Sequence, residues 1–231
     1  SADYIGERHF GYTADASLQP VAAELADISS GSLFINPLNM MNSRDNLRQG
    51  VVDLLNVAAS IQTFDLNKDF APGDLAGVPV NFIGHSLGGI SGTTFASLAN
   101  DQTLNTTVNG IYAQAGAPLS SFTFPQLNSV VLHNTSGQVT RLIENSPAFS
   151  APILSALASK GVTQGSSNFE SFFYVFQSVV DASDPVSFAE SLGANTPNIL
   201  ITEVTGDSTV PNEANVNPLG NAFSAPLAGT E

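Results

Sequence analysis

The chain has 231 residues, 42% hydrophobic and 11% charged, which is enough apolar side chain to bury one sizeable core. Twenty acidic against six basic residues give a net charge of −14, which disfavours nucleic acid and charge-driven docking on an anionic membrane and suits a neutral substrate. The absence of cysteine removes disulfides, thiolate metal sites and cysteine nucleophiles; with only His9, His85 and His133, none spaced i, i+4, no catalytic metal is expected.

In chain order, residues 1–42 are punctuated by Gly, Pro and Asn around one apolar patch, Leu33-Phe34-Ile35, and read as loop with room for one short element. The start at Ser1 rather than Met suggests processing of a longer precursor. Ser43 reads as the N-cap of an amphipathic helix, with Leu47, Val51, Leu54, Leu55, Ala58 and Ile61 at the i, i+4, i+7, i+8 spacing. Asp65-Leu66-Asn67-Lys68-Asp69 opens like a calcium loop. Phe70 stands where that loop needs glycine, however, and Ala76 where it needs glutamate, so a polar turn ahead of Pro72-Gly73 is preferred. Residues 78–83 are an apolar run of strand length leading straight into Gly84 and a small-residue helix over 88–98.

Val108-Asn109-Gly110-Ile111-Tyr112-Ala113 reads as a second buried strand, ended by Gly116-Ala117-Pro118, and residues 198–204 as a third, ended by Gly206-Asp207. Strands alternating with helices imply an α/β fold with a parallel sheet. The stretch between the second and third strands is far longer than a crossover needs and carries apolar helical patterns over 143–157 and 169–180. These suit a helical cap over the strand ends, the plainer alternative being ordinary core helices. The expected organisation is a core over 1–118, a helical cap insertion over 119–196, and a return to the core over 197–231 with an acid-bearing strand.

The chemistry centres on Gly84-His85-Ser86-Leu87-Gly88-Gly89. A serine hydroxyl is a weak nucleophile and needs a base for its proton and donors for the oxyanion it creates. A Gly-x-Ser-x-Gly elbow between strand and helix presents the serine at the strand end, and the flanking Gly84 and Gly88 leave room for strand and helix to approach. The Leu87 N–H, at the positive end of the helix, then faces the oxyanion.

A triad in the order serine, acid, histidine places the acid at Asp207, on the turn after the third strand, with Asp181 and Asp184 as rivals. No histidine follows Asp207. His85 lies inside the elbow, where alternation turns it from the cleft; His9 precedes everything; His133 would need a non-standard order and is the fallback. The simplest expectation is that the catalytic histidine lies outside this chain.

These residues resemble the α/β-hydrolases, and more closely the large secreted lipases and phospholipase A1-like enzymes of aquatic bacteria. The resemblance is carried by Gly6-Glu7-Arg8-His9-Phe10, residues 30–36, Arg44-Asp45-Asn46-Leu47-Arg48-Gln49, Val52-Asp53-Leu54-Leu55-Asn56, residues 82–89, Glu144-Asn145-Ser146-Pro147-Ala148-Phe149 and residues 218–231. It implies a parallel sheet flanked by helices, a helical cap that touches lipid surfaces transiently, and extracellular hydrolysis of a small-molecule or lipid ester without a cofactor. It also implies further chain on both sides, bearing an oxyanion loop and the catalytic histidine, supplied by a second polypeptide if the protein is cleaved. The leading expectation is therefore a serine carboxylic ester hydrolase, a lipase or esterase. The alternatives are a non-catalytic fragment or hydrolase-like binding module, and an acyltransferase using the same elbow.

Overall fold

The computed structural model describes residues 12–14, 20–22, 34–116, 124–148 and 150–212. His9, Pro118, Phe149 and the family-like stretches at 6–10 and 218–231 lie outside the described residues. Two short strands, β1 (Tyr12–Ala14) and β2 (Pro20–Ala22), pair antiparallel. The first helix, α1, spans Met40–Ile61 and is capped by Asn39, whose side chain accepts the Asn42 N–H. Ser43 is not the cap. It is fully buried in the first turn, where its Oγ donates to the Asn36 carbonyl at 2.9 Å and accepts the Asn36 N–H at 2.8 Å, tying the helix to the preceding loop. The apolar stripe is buried through Leu47, Val51 and Ala58.

Strand β3 (Val80–His85) passes directly into helix α2 (Leu87–Ala99). The expected strand at 108–113 is instead part of helix α3, Gln102–Gln114. Its β-branched and aromatic residues gave a strand-like composition, but Asp101 caps the helix by accepting the Thr103 N–H. Ile111 and Tyr112 are left 60% and 41% exposed, so the run is not a core strand. The second sheet strand is β4, Leu127–His133, within the 119–196 stretch expected to be a helical cap insertion. That stretch therefore contributes a central strand to the sheet. Beyond it come α4 (Val139–Asn145), α5 (Ser150–Ala158), α6 (Ser167–Val180), a 3₁₀ turn at Pro185–Phe188, α7 (Ala189–Asn195) and strand β5 (Ile199–Thr202). The apolar pattern over 143–157 is split between α4 and α5 at Ser146-Pro147, because proline cannot donate within a helix interior.

Strands β3, β4 and β5 form a parallel sheet in that order, flanked by helices. The register sets Gly84 opposite Leu132 and Leu132 opposite Ile201, and in the next row His85 opposite His133 and His133 opposite Thr202. One sheet face packs on helices through Val130, Leu132, Phe95, Ala96, Ala99 and Leu192, joined by Val51 and Ala58 of α1. On the opposite face Ile83 and Leu200 stay 75% and 55% exposed. A second core gathers Phe169, Phe173, Phe176 and Val180 of α6 with Ile143, Leu157, Leu47 of α1 and Ile90 of α2. Phe169, Phe173 and Phe176 of the long connection are thus buried with Leu47 of α1 and Ile90 of α2, and they fasten the connection to the helices beside the sheet.

Candidate functional site

The corner between β3 and α2 is shaped by glycine where two backbones meet. A Cβ on Gly84 would lie 2.5 Å from the Gly88 carbonyl oxygen and 2.9 Å from Gly89 Cα, so no side chain fits. A Cβ on Gly89 would meet Thr135 at 2.9 Å, and one on Gly92 would enter the Phe82 ring at 2.3 Å. Gly88, expected to share this role, meets nothing within 4 Å; close approach is served by Gly84, Gly89 and Gly92 instead. The reason is the helical rotation of α2, which turns Gly89 and Gly92, and not Gly88, toward the strands.

Ser86 sits at the apex with φ 53 and ψ −122, outside the regions open to ordinary L-residues. Its N–H donates to the His133 carbonyl at 2.9 Å, and its carbonyl accepts the N–H of Gly89 and Ile90, so both sides of the strained residue are fixed. Its Oγ, at the N-terminus of α2, makes no hydrogen bond among the described residues. No acceptor among the described residues takes the N–H of Leu87, which leaves the first helical amide open at the positive end of α2.

The ends of β4 and β5 bring other groups to the same edge. His85 stacks on His133, ring centroids 5.1 Å apart and planes 27° apart, and His133 Nδ1 makes a 2.5 Å hydrogen bond with Thr202 Oγ1. Neither imidazole hydrogen-bonds Ser86 Oγ or the carboxylate of Asp207. One residue further, the Asn134 N–H donates to the Thr202 carbonyl at 2.8 Å, and its Nδ2 donates to Asp207 Oδ2 at 2.9 Å. Asp207 Oδ1 accepts the N–H of Thr209 at 2.7 Å and of Val210 at 3.0 Å. Ser146 Oγ donates to the Thr209 carbonyl, the Ala148 N–H donates to the Ser208 carbonyl, and Val210 is buried. The acid-bearing turn is therefore pinned to the α4–α5 junction.

The rival acids are otherwise engaged. Asp184 is fully buried and accepts the N–H of Gln138, Val139 and Val186 and the Gln177 side-chain amide, holding the N-terminus of α4 to the 3₁₀ turn. Asp181 is exposed and takes the Gln177 amide. In the calcium-like loop, Asp65, Asn67 and Asp69 accept N–H groups of the loop's own backbone. Among the described residues no group of three His, Cys, Asp or Glu could hold a metal ion, and no helix is long and apolar enough to cross a membrane.

Behind the corner, on the face that meets the helices, lies an apolar cavity of about 140 Å³ lined by Thr93, Leu132, Thr135, Leu192, Ile199 and Ile201. Asn134 and Thr202 were missed from the sequence, since a lone asparagine or threonine after a strand carries no motif. Only pairing of β4 with β3 and β5 brings them to the site. No family model, curated protein or solved structure matches this chain.

Proposed function

We propose that this chain carries the nucleophile of an extracellular serine carboxylic ester hydrolase of the α/β-hydrolase fold, acting on a neutral small-molecule or lipid ester through an acyl-enzyme. The observation that carries it is Ser86, a strained non-glycine residue at a strand-to-helix corner, its hydroxyl unbonded among the described residues and beside an open helix N-terminus. Ser86 Oγ attacks the ester carbonyl carbon while a histidine takes the hydroxyl proton. The Leu87 N–H stabilises the resulting oxyanion, and collapse expels the alcohol, which recovers that proton. Water then attacks the acyl-serine by the same route in reverse. Asp207, with Oδ1 fixed by two backbone donors, orients the imidazole. The helices between β4 and β5 serve as the cap, and contact with lipid surfaces runs through them.

A fluorophosphonate probe is expected to label Ser86 in the full-length protein, and Ser86→Ala to abolish turnover of p-nitrophenyl esters. An unlabelled Ser86, together with normal turnover by Ser86→Ala, would sink the assignment. The second reading, a hydrolase-like module that binds without catalysing, is favoured by one observation: no described imidazole reaches Ser86 Oγ or Asp207. Intact mass and a search for a co-purifying second polypeptide separate the two, since a histidine-bearing partner piece supports the enzyme. Acyl transfer to an alcohol would use the same corner and is detected by product analysis with added alcohols.

A further inference from the structure

Asn134 follows β4 directly and has a left-handed backbone, φ 48, a conformation that asparagine tolerates better than most residues. Its N–H extends the ladder to β5, and the preceding carbonyl, that of His133, receives the Ser86 N–H. The Asn134 backbone is thus locked between the corner that carries Ser86 and the strand that leads to Asp207. From that anchor its Nδ2 donates to Asp207 Oδ2 at 2.9 Å. Among the described residues no other side chain hydrogen-bonds the Asp207 carboxylate, whose Oδ1 is taken by backbone donors. Asn134 Oδ1 is buried and has no donor among the described residues. A buried acceptor without a donor marks a place where a further N–H or O–H group belongs.

We infer that Asn134 is a positioning residue: it sets the rotation of the Asp207 carboxylate so that Oδ2 is presented for an imidazole, and its own Oδ1 adds a second acceptor beside it. This rests on the ester-hydrolase function proposed above. A carboxylate oxygen has two lone pairs, so Oδ2 can keep the asparagine amide and still accept an imidazole N–H. The alternative, that Asn134 serves only to make the left-handed turn, differs in a testable way, because glycine and aspartate also make that turn.

The test uses the full-length protein and the variants Asn134→Gly and Asn134→Asp, with unfolding midpoints recorded to show that each folds. The first readout is the ¹³C chemical shift of the Asp207 carboxyl at neutral pH; the second is the rate of fluorophosphonate labelling at Ser86 across pH. Removing the amide donor in Asn134→Gly is expected to move the Asp207 carboxyl signal and slow labelling by roughly tenfold or more, as for other groups that orient a catalytic side chain. Asn134→Asp sets a second carboxylate against Oδ2 in place of the amide donor, so its labelling relative to wild type is expected to be slowest at neutral and higher pH and to recover partly as pH falls. A wild-type carboxyl signal and wild-type labelling in a folded Asn134→Gly protein would overturn the inference, as would a moved signal with unchanged labelling. If Ser86 is not labelled even in the wild type, the hydrolase proposal itself fails. The Asp207 carboxyl signal then decides separately whether Asn134 governs this carboxylate: a moved signal in Asn134→Gly keeps that contact, and an unchanged one overturns it.

Discussion

Replacing Ser86 by glycine should stabilise the fold while destroying its proposed chemistry. At φ 53 and ψ −122 the serine occupies backbone space that a Cβ makes unfavourable, at a cost of about 1–3 kcal/mol. Glycine relieves this but has more freedom to lose on folding, which returns about 0.5–1 kcal/mol. The Oγ has no hydrogen-bond partner among the described residues, so its removal forfeits none of those bonds. The net gain is about 0–2.5 kcal/mol, centred on about 1 kcal/mol, or up to roughly 10 °C in Tm for a chain of this length. Ser86→Ala is the control: it removes the same hydroxyl but keeps the Cβ and the strain, and should stay within about 0.5 kcal/mol of wild type. Urea unfolding of the three proteins, with equal m-values as the check on two-state behaviour, measures the difference. If Ser86→Gly is no more stable than Ser86→Ala, the corner stores no backbone strain and the inference from its dihedral angles is wrong.

Gly84→Ala should cost at least about 3 kcal/mol or prevent folding, because its Cβ would lie 2.5 Å from a backbone oxygen that cannot move independently. Gly88→Ala, which meets nothing, should be neutral or stabilising by up to about 1 kcal/mol, as alanine is the better helix former; thermal melts of the pair test both. Asp184→Ala leaves three backbone N–H groups without their acceptor and the Gln177 amide with Asp181 alone, and should cost about 3–5 kcal/mol, with amide exchange rising first at Gln138 and Val139. The Asp101 carboxyl is held below its usual range by the Thr103 hydroxyl, then by the Thr103 N–H. A depressed folded value stabilises above the ordinary carboxylate range and is lost as pH falls through it, so Asp101→Ala should cost about 1 kcal/mol at neutral pH. That gap should close in denaturant melts as pH falls from about 5 to about 2, and a gap that stays constant would refute the capping role.

Elements with strong local patterns were legible from composition and spacing. The stripe of α1, the run into Gly84, the small-residue helix after Ser86, the phenylalanine face of α6 and the strand before Asp207 all follow from short-range periodicity and turn residues. Ser86 and Asp207 are legible for the same reason: Ser86 lies two residues from Gly84 and from Gly88 at a strand end, and Asp207 follows Gly206 on the turn after a strand. Tertiary structure decided which of two short β-branched runs joins the sheet. Val108 to Ala113 and Val130 to Leu132 look alike locally, and a capped helix claims the first while pairing with β3 and β5 claims the second. That choice moves His133 from a supposed cap to the row beside His85 and carries Asn134 to Asp207. It likewise took the folded chain to bring Asp184 to the amides of Gln138 and Val139, far away in sequence. Hydrophobic period and turn chemistry are short-range properties that a sequence displays directly. Strand register and hydrogen bonds between distant residues arise only when the whole chain closes, and in this protein they bring Ser86, Asn134 and Asp207 to one edge of the sheet.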